Sequence, residues 1–97
     1  MTGWTLTPKA AADIDSIWDF SAERWGIGQA DIYVREIAEA FVPLANGAVT
    51  ARSATDIRRD YWRHNIGSHI IFFRRSAAQR IVIVRILHQR MDADRHL

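Results

Sequence analysis

Trp4-Thr5-Leu6-Thr7 alternates apolar and polar positions, the period of a half-buried strand. The period then changes. Thr7 followed by Pro8 predicts a helix start, with the threonine hydroxyl as N-cap and the proline where a missing N–H is harmless. Ala11, Ile14, Ile17, Trp18, Ser21 and Trp25 recur at helical spacing, with Asp13, Asp15, Asp19 and Glu23 on the other face. Gly26 predicts the stop, and Gly28 stands just ahead of a second helix starting at about Gln29. That helix carries the stripe Ala30, Tyr33, Ile37, Ala40, Phe41 and Leu44. Pro43 removes one backbone bond and crowds the carbonyl four residues back, so a bend or an end is expected between Phe41 and Leu44. Asn46-Gly47 marks the stop. The short joint makes the two helices an antiparallel hairpin. Residues 48–57 are small and polar with no period, and read as a loop.

The rest of the chain has strand character. Tyr61 to Ile66 and His69 to Arg75 flank Gly67-Ser68, a two-residue turn that closes tight hairpins. Ser76-Ala77-Ala78-Gln79 leads into Arg80 to His88, rich in Ile and Val. The hairpin sets Ile66 opposite His69, His64 opposite Ile71 and Trp62 opposite Phe73. A four-residue second loop would set Phe73 opposite Val82 and Ile71 opposite Val84. One face then shows Trp62, His64, Ile66, Ile71, Phe73, Val82, Val84, Ile86 and His88, and belongs under the helices. The other shows Tyr61, Arg63, Asn65, Ile70, Phe72, Arg74, Ile81, Ile83, Arg85 and Leu87. That face is too apolar to stay merely wet, so either a partner or the C-terminal tail covers it.

With 97 residues the chain makes one domain, and 48% hydrophobic with 25% charged residues excludes a disordered or collagen-like polymer. Without cysteine there is no disulfide, thiolate zinc site or cysteine nucleophile. The N-terminal residues show no basic leader and no apolar run of spanning length, so a soluble cytoplasmic protein is expected. Charge is unevenly spread: residues 1–47 hold three basic side chains against seven acidic ones, and residues 48–97 hold ten arginines against four aspartates. A basic half points to an anionic partner, either nucleic acid or an acidic protein segment. His64, His69, His88 and His96 have no metal-ligand spacing, and no serine sits in a nucleophile elbow. Tyr61, His88 and the arginines form the one combination suited to acid–base cleavage of RNA, while arginines that only bind need fewer coincidences.

Leu6-Thr7-Pro8-Lys9-Ala10, Ile17-Trp18-Asp19, Glu23-Arg24-Trp25-Gly26, Asp56-Ile57-Arg58 and Gly67-Ser68-His69-Ile70-Ile71-Phe72-Phe73-Arg74 together resemble ParE-type toxins. The ending Val84-Arg85-Ile86-Leu87-His88-Gln89-Arg90-Met91-Asp92, closing on Arg95-His96-Leu97, extends the resemblance over nearly the whole chain. These proteins belong to the RelE/ParE superfamily of bacterial type II toxin–antitoxin modules. The resemblance implies a single α/β (α+β) domain over residues 1–97, ordered β-α-α-β-β-β: an N-terminal strand, a helix hairpin and a three-stranded antiparallel sheet. RelE-like members cleave messenger RNA on the ribosome, whereas ParE-like members poison DNA gyrase and block replication. Ribonuclease members typically place a catalytic arginine shortly after the hairpin turn. Ile70 takes that place here, and the one lysine, Lys9, opens a helix. An isoleucine cannot neutralise developing phosphate charge.

The resemblance therefore implies a gyrase-inhibiting toxin that arrests growth, with a role in plasmid or chromosomal stability and no catalytic residue, cofactor or metal. A ribosome-dependent endoribonuclease and a plain nucleic-acid-binding module are the alternatives. The implied partner is a ParD-like antitoxin in a hetero-oligomer, with DNA reached only through antitoxin or gyrase. Candidate antitoxin contacts are Arg63, Phe72, Arg74, Arg85, Trp18 and Trp25. Candidate target contacts are His88, Gln89, Arg90, Met91, Asp92 and Arg95. For this last segment a structural alternative stands beside the functional one, with Met91 and Leu97 packed over the open face and Asp92 or Asp94 paired to an arginine.

Overall fold

Thr7 turns the chain from strand to helix. Its hydroxyl accepts the Ala10 N–H at 3.0 Å with Pro8 as the first helical residue, which ends β1 (Gly3–Leu6) and opens α1 (Pro8–Trp25). The computed structural model describes residues 3–76 and 80–97. α1 is followed by α2 (Ile27–Glu39), α3 (Phe41–Asn46), β2 (Arg52–Ser53), β3 (Tyr61–Ile66), β4 (His69–Arg75), β5 (Arg80–His88) and α4 (Ala93–His96). The strands form one sheet in the order β1-β5-β4-β3-β2, antiparallel except that β1 runs parallel to β5. This is the expected α/β class with one more strand, because β2 lies within the expected 48–57 loop. Two residues are too few to show a period.

The helical stripe is rotated slightly from the sequence reading. Ala10, Ile17 and Ser21 are buried, whereas Ala11 and Trp25, expected inward, are exposed. Asp13, expected outward, turns to the sheet. Gly26, at φ 92°, reverses the chain so tightly that α2 begins at Ile27, and Gly28 lies inside its first turn. The break expected near Pro43 falls earlier, at Ala40. Pro43 has no N–H for the Glu39 carbonyl, so the ladder tightens there with Ala40 N–H donating to Ile37 O at 3.1 Å, and helix resumes at Phe41. Phe41, Leu44 and Ala45 are then buried, and the Phe41 ring meets Trp4 at 4.9 Å between centroids.

The β3–β4 register is the expected one, with Ile66↔His69, His64↔Ile71 and Trp62↔Phe73. The β4–β5 register is not. A bulge at Phe72/Phe73 pairs Phe73 with Ile83 and Ile71 with Ile86. Residues 77–79 of the expected loop lie outside the described residues. In consequence Ile81 and Ile83 enter the core under the helices in place of Val82 and Val84, while Ile86 keeps its expected side.

Part of the other sheet face is covered by the chain itself. Ala54, Phe72 and Leu87 are buried there beneath Ile57, Tyr61, Ile70, Ala93 and Leu97. Asp92 caps α4 by accepting the Asp94 N–H at 3.1 Å, Arg85 donates to the His96 carbonyl at 2.9 Å, and Arg58 donates to the Leu97 carbonyl. The C-terminal tail, one of the two expected coverings, thus packs on this part of the face. β1 pairs with β5 only as far as Leu6↔Ile83, and side chains complete the rest of that edge. Thr7 Oγ1 donates to Val84 O at 2.7 Å, and Asp13 accepts from the Ile86 N–H at 2.9 Å and from Arg85 Nε and Nη2 at 2.8 Å each.

Candidate functional site

Between the helix hairpin and the turn end of the sheet lies a groove of ≈ 870 Å³. Its walls are apolar. Phe20 and Trp25 stand on the last turns of α1, 57% and 60% exposed, and Met91 faces them from beyond β5 at 41%. Phe20 is off the apolar stripe of α1, so its large exposed ring is a feature the helical period leaves unexplained. The Phe20 and Trp25 rings meet edge to face at 6.4 Å, with the Arg24 guanidinium 5.6 and 5.5 Å from their centroids.

The floor is polar and held by the β3–β4 turn. Gly67 adopts φ +56°, and a Cβ there would lie 2.7 Å from the end of the Tyr33 ring, so glycine suits both the backbone and the place this ring takes against the turn. Tyr33 Oη accepts the Ser68 N–H at 3.1 Å and lies 2.6 Å from His69 Nδ1. The phenol thus joins the turn backbone to the imidazole, with the Ile66 carbonyl as a further acceptor within 3.5 Å. His69 is paired across the sheet with His88, ring to ring at 5.3 Å, and His88 Nδ1 accepts the Arg90 N–H at 3.1 Å. Burial and the neighbouring His88 push the His69 pKa below its usual 6.5, against a smaller opposite effect of Asp13. Burial also raises the Tyr33 phenol, so both groups are neutral near pH 7.

Because His69 binds a proton less readily when folded, its contribution to stability is complete above about pH 6.5 and is lost as pH falls from there through the folded pKa. Thermal melting of the protein is expected to decline from pH 7 to 5, and His69→Gln to flatten that decline. An equal slope in both proteins would remove His69 as its source.

The residues singled out from sequence do not form one surface. Trp18 is half-buried and its indole N–H donates to Asp31 at 2.8 Å, tying α1 to α2, while Trp25 stands free at the groove mouth. Phe72 is 1% exposed beneath the tail, and Arg85 is held by Asp13, so neither is open to a partner. The Asp13 hydrogen bond also raises the Arg85 pKa above its ordinary value. Arg63 and Arg74 lie on the sheet face away from the groove. Of the C-terminal set, His88 and Met91 line the groove, Gln89 and Arg90 are exposed beside it, Asp92 caps α4, and Arg95 is exposed 3.7 Å from Asp92. Among the described residues no three His, Cys, Asp or Glu side chains converge as a metal site requires, and no helix is long and apolar enough to cross a membrane. Tyr33 and His69 carry almost no mark in the sequence. Their only signal is two polar aromatics at positions that pair the hairpin turn with α2, a contact no periodicity reports.

A family model described as the ParE toxin of the type II toxin–antitoxin system parDE matches residues 5–93. The chain is 40% identical over 94 residues to Toxin ParE1 of Mycobacterium tuberculosis, covering 97% of this chain and 96% of that protein. It is 37% identical over 97 residues to Toxin ParE1 of Caulobacter vibrioides, covering 100% and 99% respectively. A solved structure described as a chromosomal ParDE TA system from P. aeruginosa matches with a TM-score of 0.75 at 27% identity, over 91% of this chain and 96% of that one.

Proposed function

The chain belongs to the ParE toxin family of type II toxin–antitoxin systems, and from that premise we propose that it arrests growth by inhibiting DNA gyrase through binding rather than bond chemistry. The observation that carries this reading is the state of Ile70. By the resemblance it takes the place of the catalytic arginine of ribonuclease members, and it is half-buried against Phe72 and Leu87. No phosphate can be neutralised at such a position. The exposed run Gln89, Arg90 and Met91, continuous with His88 at the groove, is the surface offered to the target; Asp92 and Arg95 flank it.

The same reading assigns the groove to the tail of a ParD-like antitoxin. Phe20, Trp25 and Met91 supply apolar anchors, and a segment that folds as it binds gains its affinity from burying such area. Since His88 and Met91 line the groove, an antitoxin seated there also covers the target surface, and neutralisation becomes direct occlusion. Cytoplasmic action follows from a gyrase target.

The test uses purified gyrase, supercoiled DNA and the toxin. Cleaved DNA is expected to accumulate only with gyrase present, and Arg90→Ala with Met91→Ala to reduce it at least tenfold. Cutting of ribosome-bound messenger without any gyrase-dependent DNA cleavage would overturn the reading.

A further inference from the structure

On the sheet face away from the groove, the register aligns arginines from four successive strands. Arg52 pairs with Arg63 across β2 and β3, Tyr61 pairs with Arg74 across β3 and β4, and Arg80 lies on the same face of β5 as Val82, the partner of Arg74. Partners directly opposite share a face, as do residues two apart, so Arg52, Arg63, Arg74 and Arg80 form one diagonal stripe. With strands about 5 Å apart and about 3.4 Å per residue, the stripe runs roughly 20 Å. It occupies the half of this face that the C-terminal tail leaves open, and Arg52, Arg74 and Arg80 are exposed.

These charges are poorly compensated within the chain. Arg52 and Arg63 are like charges directly opposite, an unfavourable pair in a sheet. Arg63 has only Asp56, at 3.8 Å and with the aspartate 66% exposed, and its buried Nε has no hydrogen-bond partner among the described residues. Arg52, Arg74 and Arg80 form no salt bridge among the described residues; Asp60, beside Arg74 and Arg75 in a small recess, is the other carboxylate at hand. The acidic side chains Asp15, Asp19, Glu23, Asp31, Glu36 and Glu39 all stand on the two long helices across the sheet, so the molecule is electrically polarised.

We propose that this arginine stripe is a binding surface for the phosphate backbone of duplex DNA. Three observations select that occupant. An acidic protein segment would need apolar anchors, yet among the described residues every large hydrophobic that is exposed lies elsewhere: Trp4, Phe20, Trp25, Ile27, Ile32, Val42 and Met91. A single strand would need aromatic platforms, yet on this face Phe72 is buried and Tyr61 is half-buried in the cluster around it. A row of guanidinium groups about 20 Å long instead matches about six phosphates of one DNA strand, at one per 3.4 Å of helix axis. The stripe and the groove are on opposite faces of the sheet, so an occupied groove leaves the stripe free. DNA contact is then direct, in place of the contact through antitoxin or gyrase expected from the resemblance, and it goes beyond the gyrase reading.

The test contains no gyrase. A fluorescein-labelled 20-base-pair duplex of random sequence is titrated with the full chain, and anisotropy is followed from 50 to 200 mM NaCl. Wild type is expected to bind with an affinity that falls steeply with salt. R74Q/R80Q is expected to bind at least tenfold more weakly at 50 mM and to lower the log–log salt slope by about 2, one for each phosphate no longer neutralised. K9Q/R35Q, which removes the same charge from the helices, should change affinity less than twofold. Should the double variant melt early, R74Q and R80Q singly must each lower the slope by about 1. The proposal is overturned if the two double variants lose affinity equally, if wild type does not bind at 50 mM, or if a polyglutamate peptide, a single strand or duplex RNA of equal charge binds more tightly.

Discussion

Replacing Asp13 with alanine is expected to lower the melting temperature by roughly 12 °C or more, the largest effect of any single substitution outside the apolar core. Asp13 and Arg85 have side chains 14% and 15% exposed, and the carboxylate takes both guanidinium bonds and the Ile86 N–H. Removing it leaves a nearly buried cation without its counter-charge, held only by the His96 carbonyl, and the Ile86 N–H without an acceptor, a loss of about 3–5 kcal/mol. In a 97-residue domain each kcal/mol moves melting by about 4–8 °C. Asp13→Ala with Arg85→Met should recover part of the loss, because the stranded charge is gone while the Ile86 N–H remains unbonded. Melting of Asp13→Ala within about 2 °C of wild type would show that water replaces the carboxylate at this edge.

Asp13 also shows what the sequence could and could not reveal. Its neighbours on the polar face, Asp15 and Asp19, are exposed as periodicity predicts. Asp13 differs because β1 stops at Leu6, leaving the end of β5 without a strand, and that shortage is a property of topology rather than of α1. Local signals succeeded where the physics is local. The Thr7-Pro8 cap, the Gly26 reversal and the Gly67-Ser68 turn each act within a few residues, and the turn alone pins the β3–β4 register. The β4–β5 register failed because the bulge at Phe72/Phe73 answers to packing on both faces at once, and Ile and Val at 81–84 fit either side.

The groove was half legible. Trp25 and the segment from His88 to Met91 were marked by the resemblance, whereas Tyr33 and His69 depend on a contact between α2 and a turn more than thirty residues away. The covering of the second sheet face was open between partner and tail, since composition alone cannot tell which apolar group finds it. Two apolar tail residues, Ala93 and Leu97, meet Ile70, Phe72 and Leu87 there.

Deleting residues 93–97 is therefore expected to destabilise the protein by about 2–4 kcal/mol, lowering melting by roughly 8–32 °C. The deletion uncovers Phe72 and Leu87, removes the His96 carbonyl that Arg85 uses, and frees Arg58 from the Leu97 carbonyl. A loss of growth arrest in so weakened a protein would not by itself point to a target. Point changes separate the two roles of this end of the chain. Leu97→Ala, in the packed part, is expected to cost about 1–2 kcal/mol in stability while the surviving folded protein stays active. Arg90→Ala and Met91→Ala, on exposed side chains before α4, should leave melting within about a degree of wild type and abolish growth arrest. If instead the truncated chain melts like wild type, the tail does not hold the second face together. If Arg90→Ala with Met91→Ala still arrests growth at full strength, the target is met somewhere other than the exposed run beside the groove.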